Sequence, residues 1–107
     1  MNPKSRPLPM SPETVEGLTD LGRAIRDARL ARRLRQKDLS SRVGISVATL
    51  KRLERGDPTL AIGRVLEVLT TLSPDLLADL VGTVRADPAG DSLRRKAKGE
   101  RSKRDDF

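Results

Sequence analysis

The chain has 107 residues, a single aromatic residue (Phe107), no cysteine or histidine, and a formal net charge of +7 from 22 basic and 15 acidic residues. Its length fits one domain, and the absence of Cys and His excludes disulfides, thiol nucleophiles, cysteine–histidine zinc sites and histidine-based acid–base catalysis. With almost no aromatic area, a core has to be built from Leu, Ile and Val, which suits packed helices better than a sheet.

Residues 1–19 hold four prolines and no sustained period, so they read as a disordered arm. Such an arm either reaches into a DNA groove or is a simple tail. The folded part is expected over residues 20–86, with Asp20 or Thr19 capping a first helix from Leu21 to Arg33. Leu21, Ile25, Ala28 and Leu34 share one face of that helix at helical spacing. Arg23, Arg26, Arg32 and Arg33 lie opposite and read as solubility charges.

A short second helix is expected from Gln36 to Val43, burying Leu39 and Val43. Gly44 then ends it in the left-handed conformation. Ile45 plugs the turn, and Ser46 caps a third helix running from Val47 to about Arg55 with Leu50 and Leu53 inward. Gly56 and Asp57-Pro58 punctuate its end. A fourth helix fits Leu60 to Leu72 through Ile62, Val65, Leu66 and Leu69. Ser73-Pro74 opens a fifth, which runs to Arg85 and carries Leu76, Leu77, Leu80, Val81 and Val84. Residues 87–107 are charged and have nothing to bury, so they read as a disordered tail.

The charge is concentrated in the folded part. Residues 20–72 carry 12 basic and 6 acidic groups, an excess that attracts a polyanion, of which nucleic acid is the usual one. An Arg-rich composition throughout would also raise the charge without such a partner. The apolar run Val65–Pro74 is broken by Glu67 and too short to cross a membrane. Prolines at 7, 9 and 12 stand where a signal peptide has its apolar stretch. A cytoplasmic chain without a membrane partner is expected. No paired carboxylates or phosphate-binding glycine loop appears, so no catalytic residue, metal ligand or cofactor is assigned and an enzyme is not expected.

The informative stretch is QKDLSSRVGISVATLKRLERG, Gln36 to Gly56. Two short helices around a tight glycine turn cross steeply, the first bracing the second. With Leu39, Val43, Ile45, Leu50 and Leu53 committed to the wedge between them, the third helix keeps a polar face that can enter a major groove. Arg52 has the chemistry for bidentate contact with guanine, while Val47 and Ala48 can touch a thymine methyl but donate nothing. Arg52 can also be a plain solvated charge, Thr49 a neutral surface residue, and Gln36 a polar helix start.

The spacing of Leu39, Gly44, Ile45, Leu50, Glu54 and Gly56, with Gln36 opening helix two, Ile25-Arg26-Asp27-Ala28-Arg29 in helix one and Glu54-Arg55-Gly56 closing helix three, resembles the lambda-repressor-like (Cro/CI, XRE) helix-turn-helix family. The resemblance implies an all-α, compact five-helix DNA-binding domain with disordered tails. It places Gln36 on backbone phosphate or an adjacent base. Ser46, Val47, Ala48, Thr49 and Arg52 fall at recognition positions, and Lys51 and Arg55 near the phosphates or at the rim. Arg35 joins them as a sequence-independent contact. Arg29 and Glu54 match a family pair that ties the first helix to the third. Val47 and Ala48 depart from members with glutamines there, which narrows hydrogen-bond readout and shifts weight to DNA shape.

The function expected is a sequence-specific transcriptional regulator of double-stranded DNA, acting as a homodimeric repressor. Leu76, Leu77, Leu80 and Val84 would form the dimer interface, or else pack only on the fourth helix. Arg52 to Leu72 is similar to HipB-like antitoxins, which implies a toxin–antitoxin system with a HipA-like kinase toxin as partner. The competing reading is a protein-interaction adaptor that uses the same scaffold without specific DNA binding.

Overall fold

A serine followed by proline and glutamate is a strong helix start, and the first helix begins at that signal. In the computed structural model, which describes residues 9–105, α1 runs from Pro12 to Ala31. Ser11 caps it, its Oγ accepting from the Thr14 N–H at 3.2 Å, while Pro12 sits where a missing N–H costs nothing. The helix therefore starts well before Leu21, and residues 12–19 are helical rather than part of an arm; residues 1–8 of that expected arm lie outside the described residues. Its end is tightened by Arg33 at φ +54°. The N–H groups of Arg33 and Leu34 donate back to the carbonyls of Leu30 and Arg29 at 2.9 and 3.2 Å, the paired closure that a left-handed residue permits.

Helix α2 spans Gln36–Val43 and α3 spans Val47–Glu54. Gly44, at φ +84°, lets the N–H groups of Gly44 and Ile45 both donate to the Ser40 carbonyl. Ser46 caps α3 by accepting from the Thr49 N–H at 3.0 Å. Helix α4 covers Ile62–Leu72 and α5 covers Pro74–Arg85. A sixth helix, α6, spans Pro88–Asp105, where a disordered tail is expected from composition. Asp87 starts it by accepting from the Gly90 N–H at 3.0 Å, and Pro88 takes the first helical position. A helix that buries nothing still forms where its start is capped and most of its residues are good helix formers. Residues 106 and 107 lie outside the described residues. Among the described residues there is no strand, and the fold is all-α with six helices instead of five.

The chain divides into two units after Pro74. In the first, α1 packs on α3 and α4, and α2 packs on α3 and α4. The core is Ile25, Leu39, Leu50, Leu53, Val68, Leu69 and Leu72. The inward stripe of α1 is Gly22, Ile25 and Arg29, rotated from the expected face. Leu21 is 37 % exposed. Ile62, expected on the apolar face of α4, is 74 % exposed.

Two glycines allow α1 and the end of α3 to meet backbone to backbone. A Cβ on Gly22 would stand 2.6 Å from the Glu54 carbonyl oxygen, and one on Gly56 would stand 2.8 Å from that of Leu18. Gly56 is also at φ +80°, where the N–H groups of Gly56 and Asp57 close α3 on the carbonyls of Leu53 and Arg52. Any side chain at either position pushes the two helices apart. Arg32, expected as a solubility charge, donates from Nε to the Leu72 carbonyl at 3.1 Å. A cation there satisfies a terminal carbonyl of α4 and complements the helix dipole.

In the second unit, Leu76 and Leu77 of α5 are half-buried, while Leu80, Val81 and Val84 are exposed. Leu93 on α6 is also exposed. Asp91 pairs with Arg94 one turn along α6.

Candidate nucleic-acid interface

The helix-turn-helix is anchored by a charged pair in the core. Arg29 donates from Nε to Glu54 Oε2 at 2.7 Å and from Nη2 to Oε1 at 2.9 Å. The two side chains are 7 % and 4 % exposed, so the pair is desolvated and its planar two-point geometry matters. The remaining Nη1 donates to the Leu34 carbonyl at 2.8 Å, which fixes the turn into α2. Gln36 joins from the start of α2, its Nε2 donating to Glu54 Oε1 at 3.2 Å. Three elements thus converge on one carboxylate, and the crossing of α2 and α3 is held from inside.

Arg26, Arg29, Gln36, Lys51, Glu54 and Arg55 line one cleft above this pair. Arg29 neutralises Glu54. Among the described residues, Arg26, Lys51 and Arg55 have no acidic partner, and all three are exposed. The cleft therefore presents uncompensated positive charge to solvent. Arg26 is the contributor that sequence reading passes over. Its signal was present in the spacing, three residues before Arg29 and hence beside it on the helix.

The outer face of α3 carries the expected recognition residues in a graded way. Ala48 is exposed, Val47 and Thr49 are half-buried, and Ser46 is exposed. The hydroxyls of Ser46 and Thr49 lie 2.9 Å apart and share a hydrogen bond. Both are already engaged at the cap, so the leading edge of α3 offers small apolar groups and hydroxyls with internal partners.

Arg52 is not a free cation. Its Nε donates to Asp57 Oδ2 at 2.7 Å and its Nη2 to Thr59 Oγ1 at 2.7 Å. Asp57 in turn accepts from the Thr59 N–H at 2.8 Å and the Thr59 hydroxyl at 2.7 Å through Oδ1. These donors, Thr59 first and then Arg52, hold the Asp57 carboxyl far below the usual carboxylate range. The Arg52 side chain keeps 43 % exposure, so part of the guanidinium still faces solvent. Arg35 lies at the start of α2, where Asp38 accepts from its backbone N–H and its Nε, both at 3.0 Å. That contact raises Arg35 and lowers Asp38, the side-chain hydrogen bond being the main cause in each.

The structure thus brings Gln36, Lys51, Arg55, Arg29 and Glu54 together around one cleft. Ser46, Val47, Ala48 and Thr49 stand at the start of α3, and Arg52 is at its far end against Asp57. The expected interface residues Leu76, Leu77, Leu80 and Val84 lie on α5 in the second unit. Among the described residues no helix is long and apolar enough to cross a membrane.

The helix-turn-helix family matches residues 25–77, which take in the end of α1, the whole of α2, α3 and α4, and the start of α5. An uncharacterised HTH-type transcriptional regulator of Sinorhizobium fredii, y4mF, is 43 % identical over 61 residues, covering 55 % of this chain and 80 % of the relative. No solved structure gives a significant match. With the glycine turn, the capped third helix and the core between them, the chain belongs to the XRE-type helix-turn-helix family.

Proposed function

We propose that the protein is a DNA-binding transcriptional regulator, that α3 is its recognition helix, and that it acts as a homodimeric repressor on a palindromic site. The observation that carries this reading is the cleft between α1, the start of α2 and the C-terminal half of α3: among the described residues its three exposed cations, Arg26, Lys51 and Arg55, have no acidic partner. Phosphate oxygens are the natural ligands of such a cluster, and phosphate contacts set the register of a helix in the groove. Gln36 adds a neutral donor at the same edge. The S. fredii relative, an HTH-type transcriptional regulator by name, supports the same reading.

Base readout is narrow. Val47 and Ala48 suit thymine methyl groups, and Thr49 can exchange its cap partner for a base. The part of Arg52 that faces solvent is the best placed group for guanine. Arg35 adds a phosphate contact at the start of α2. For the two-fold partner, Leu77, Leu80, Val81 and Val84 form a stripe at i, i+3, i+4 and i+7 on α5, flanked by Leu76. An antitoxin role, with a HipA-like kinase as the second chain, rests on the likeness of Arg52–Leu72 to HipB-like proteins, and copurification of that chain tests it.

Selection of bound sites from a random duplex pool, with the mass measured in solution, tests the main reading. The expected result is a palindrome whose half-sites lie about one turn of DNA apart, bound by a doubled mass. Failure to bind any duplex at low salt overturns it and supports the adaptor.

A further inference from the structure

The regulatory reading leaves α6 without a task, and its make-up is unusual. From Leu93 to Arg104 the sequence has seven basic residues and one acid, Glu100. The helix has 18 residues, about 27 Å of length at the usual rise. Its apolar residues are Ala89, Leu93 and Ala97, too few to bury a face, and Leu93 is 67 % exposed. Among the described residues the one ion pair on it is Asp91 with Arg94, so Arg95, Lys96, Lys98 and Arg101 stand exposed without an acidic partner. A helix that is polar all round gains nothing from packing, and its neighbouring like charges repel one another. A polyanion removes that repulsion and supplies the partner that the helix lacks.

We propose that α6 is a second, sequence-independent nucleic-acid contact, in which Arg95, Lys96, Lys98 and Arg101 neutralise backbone phosphates of the duplex whose sequence α3 reads. The proposal rests on the regulatory reading for the identity of the polyanion. Double-stranded DNA presents one charge per roughly 1.7 Å of axis, so a helix of this length runs alongside many phosphates. Such a contact carries no sequence information. It raises affinity for every sequence alike, and it raises the local concentration of DNA around the recognition helix because the two are joined in one chain.

The test uses the full chain carrying Arg95→Gln, Lys96→Gln, Lys98→Gln and Arg101→Gln together. Glutamine keeps helix propensity close to that of Lys and Arg, and far-UV circular dichroism without DNA checks that the helix content is kept. Binding is measured against a random duplex and against the selected site over a salt series. Neutralising four contacts makes the slope of log affinity against log salt shallower by about 3.6. Affinity falls at least about tenfold on both duplexes near 0.1 M salt, and the ratio of selected to random binding stays the same. A variant with the native slope and native affinity overturns the inference, as does capture of an acidic protein by α6 with the salt slope unchanged. Those outcomes leave the helix-turn-helix reading intact if the selected site is still preferred. Loss of all duplex binding by the unaltered chain removes both.

Discussion

Arg52 is the residue whose role the structure alters most. Read from sequence alone, it is a free guanidinium on the recognition helix. Its environment is set by Asp57, five residues on, which the sequence presents only as part of an Asp-Pro turn. In the structure the turn is also a brace: Asp57 accepts from Arg52 on one oxygen and from Thr59 on the other. Such a brace fixes the direction of the guanidinium before DNA arrives, which lowers the ordering cost of a base contact. Asp57→Asn is therefore expected to reduce the preference for the selected site over random duplex about tenfold, the size of one weakened bidentate contact. Overall affinity for random duplex rises slightly, because a carboxylate near the phosphates is removed. An unchanged preference in a salt-titrated gel shift would leave Asp57 a loop residue only. The same variant has a pH signature. A carboxyl held low in the fold stabilises it fully above its unfolded value of about 3.9, and this contribution is lost as the pH falls below that value. The native chain should thus melt higher than the variant at neutral pH, with the gap closing as the pH drops below about 4.

At the scale of elements, the contact between α1 and α3 is the joint that decides how α3, the proposed recognition helix, is held. Gly22 and Gly56 bring the backbones together, and the Arg29–Glu54 pair locks them. Glu54→Ala leaves a buried guanidinium uncompensated and releases Gln36. A loss of about 3 kcal/mol or more follows, which for a domain this small lowers Tm by more than about 10 °C. Replacing both partners, Arg29→Met with Glu54→Leu, should recover most of that loss, because an apolar pair of similar volume carries no desolvation cost. Thermal melts of the single and double variants check this, and a double variant as unstable as the single one would mean the pair is needed for more than charge balance. The middle of this architecture was legible because its signals are local: a glycine after α2, a serine before α3, leucines at helical spacing. The outer elements were not. Four prolines before residue 13 looked like an arm, yet Ser11-Pro12 is a helix start. The inward stripe of α1 contains a glycine and an arginine, which a hydrophobic pattern does not mark. Helix α6 has no buried face, so periodicity gave no sign of it and only its Asp87-Pro88 start did.

For the whole molecule, under the proposed function, one narrow recognition helix would gain its specificity from two-fold symmetry. In that reading a single α3 with Val47 and Ala48 leading would read few bases. Two copies related by a two-fold axis double the contacts and add a spacing requirement between half-sites. The stripe on α5 has the make-up for this: Leu80 is 43 % and Val84 72 % exposed, an apolar exposure that an isolated charged chain has no reason to keep. If α5 forms the proposed interface, Leu80→Asp with Val84→Asp would place like charges of the two copies in it. The mass in solution is expected to halve, and binding to the palindromic site to fall by more than tenfold, since the second half-site no longer benefits from effective concentration. Binding to random duplex changes far less, because α3, the basic cleft and α6 are untouched. Sedimentation and gel shift on intact and half-site duplexes measure both effects. A doubled mass that survives the two aspartates would move the interface off α5, whereas a halved mass with undiminished palindrome binding would separate dimerisation from DNA recognition.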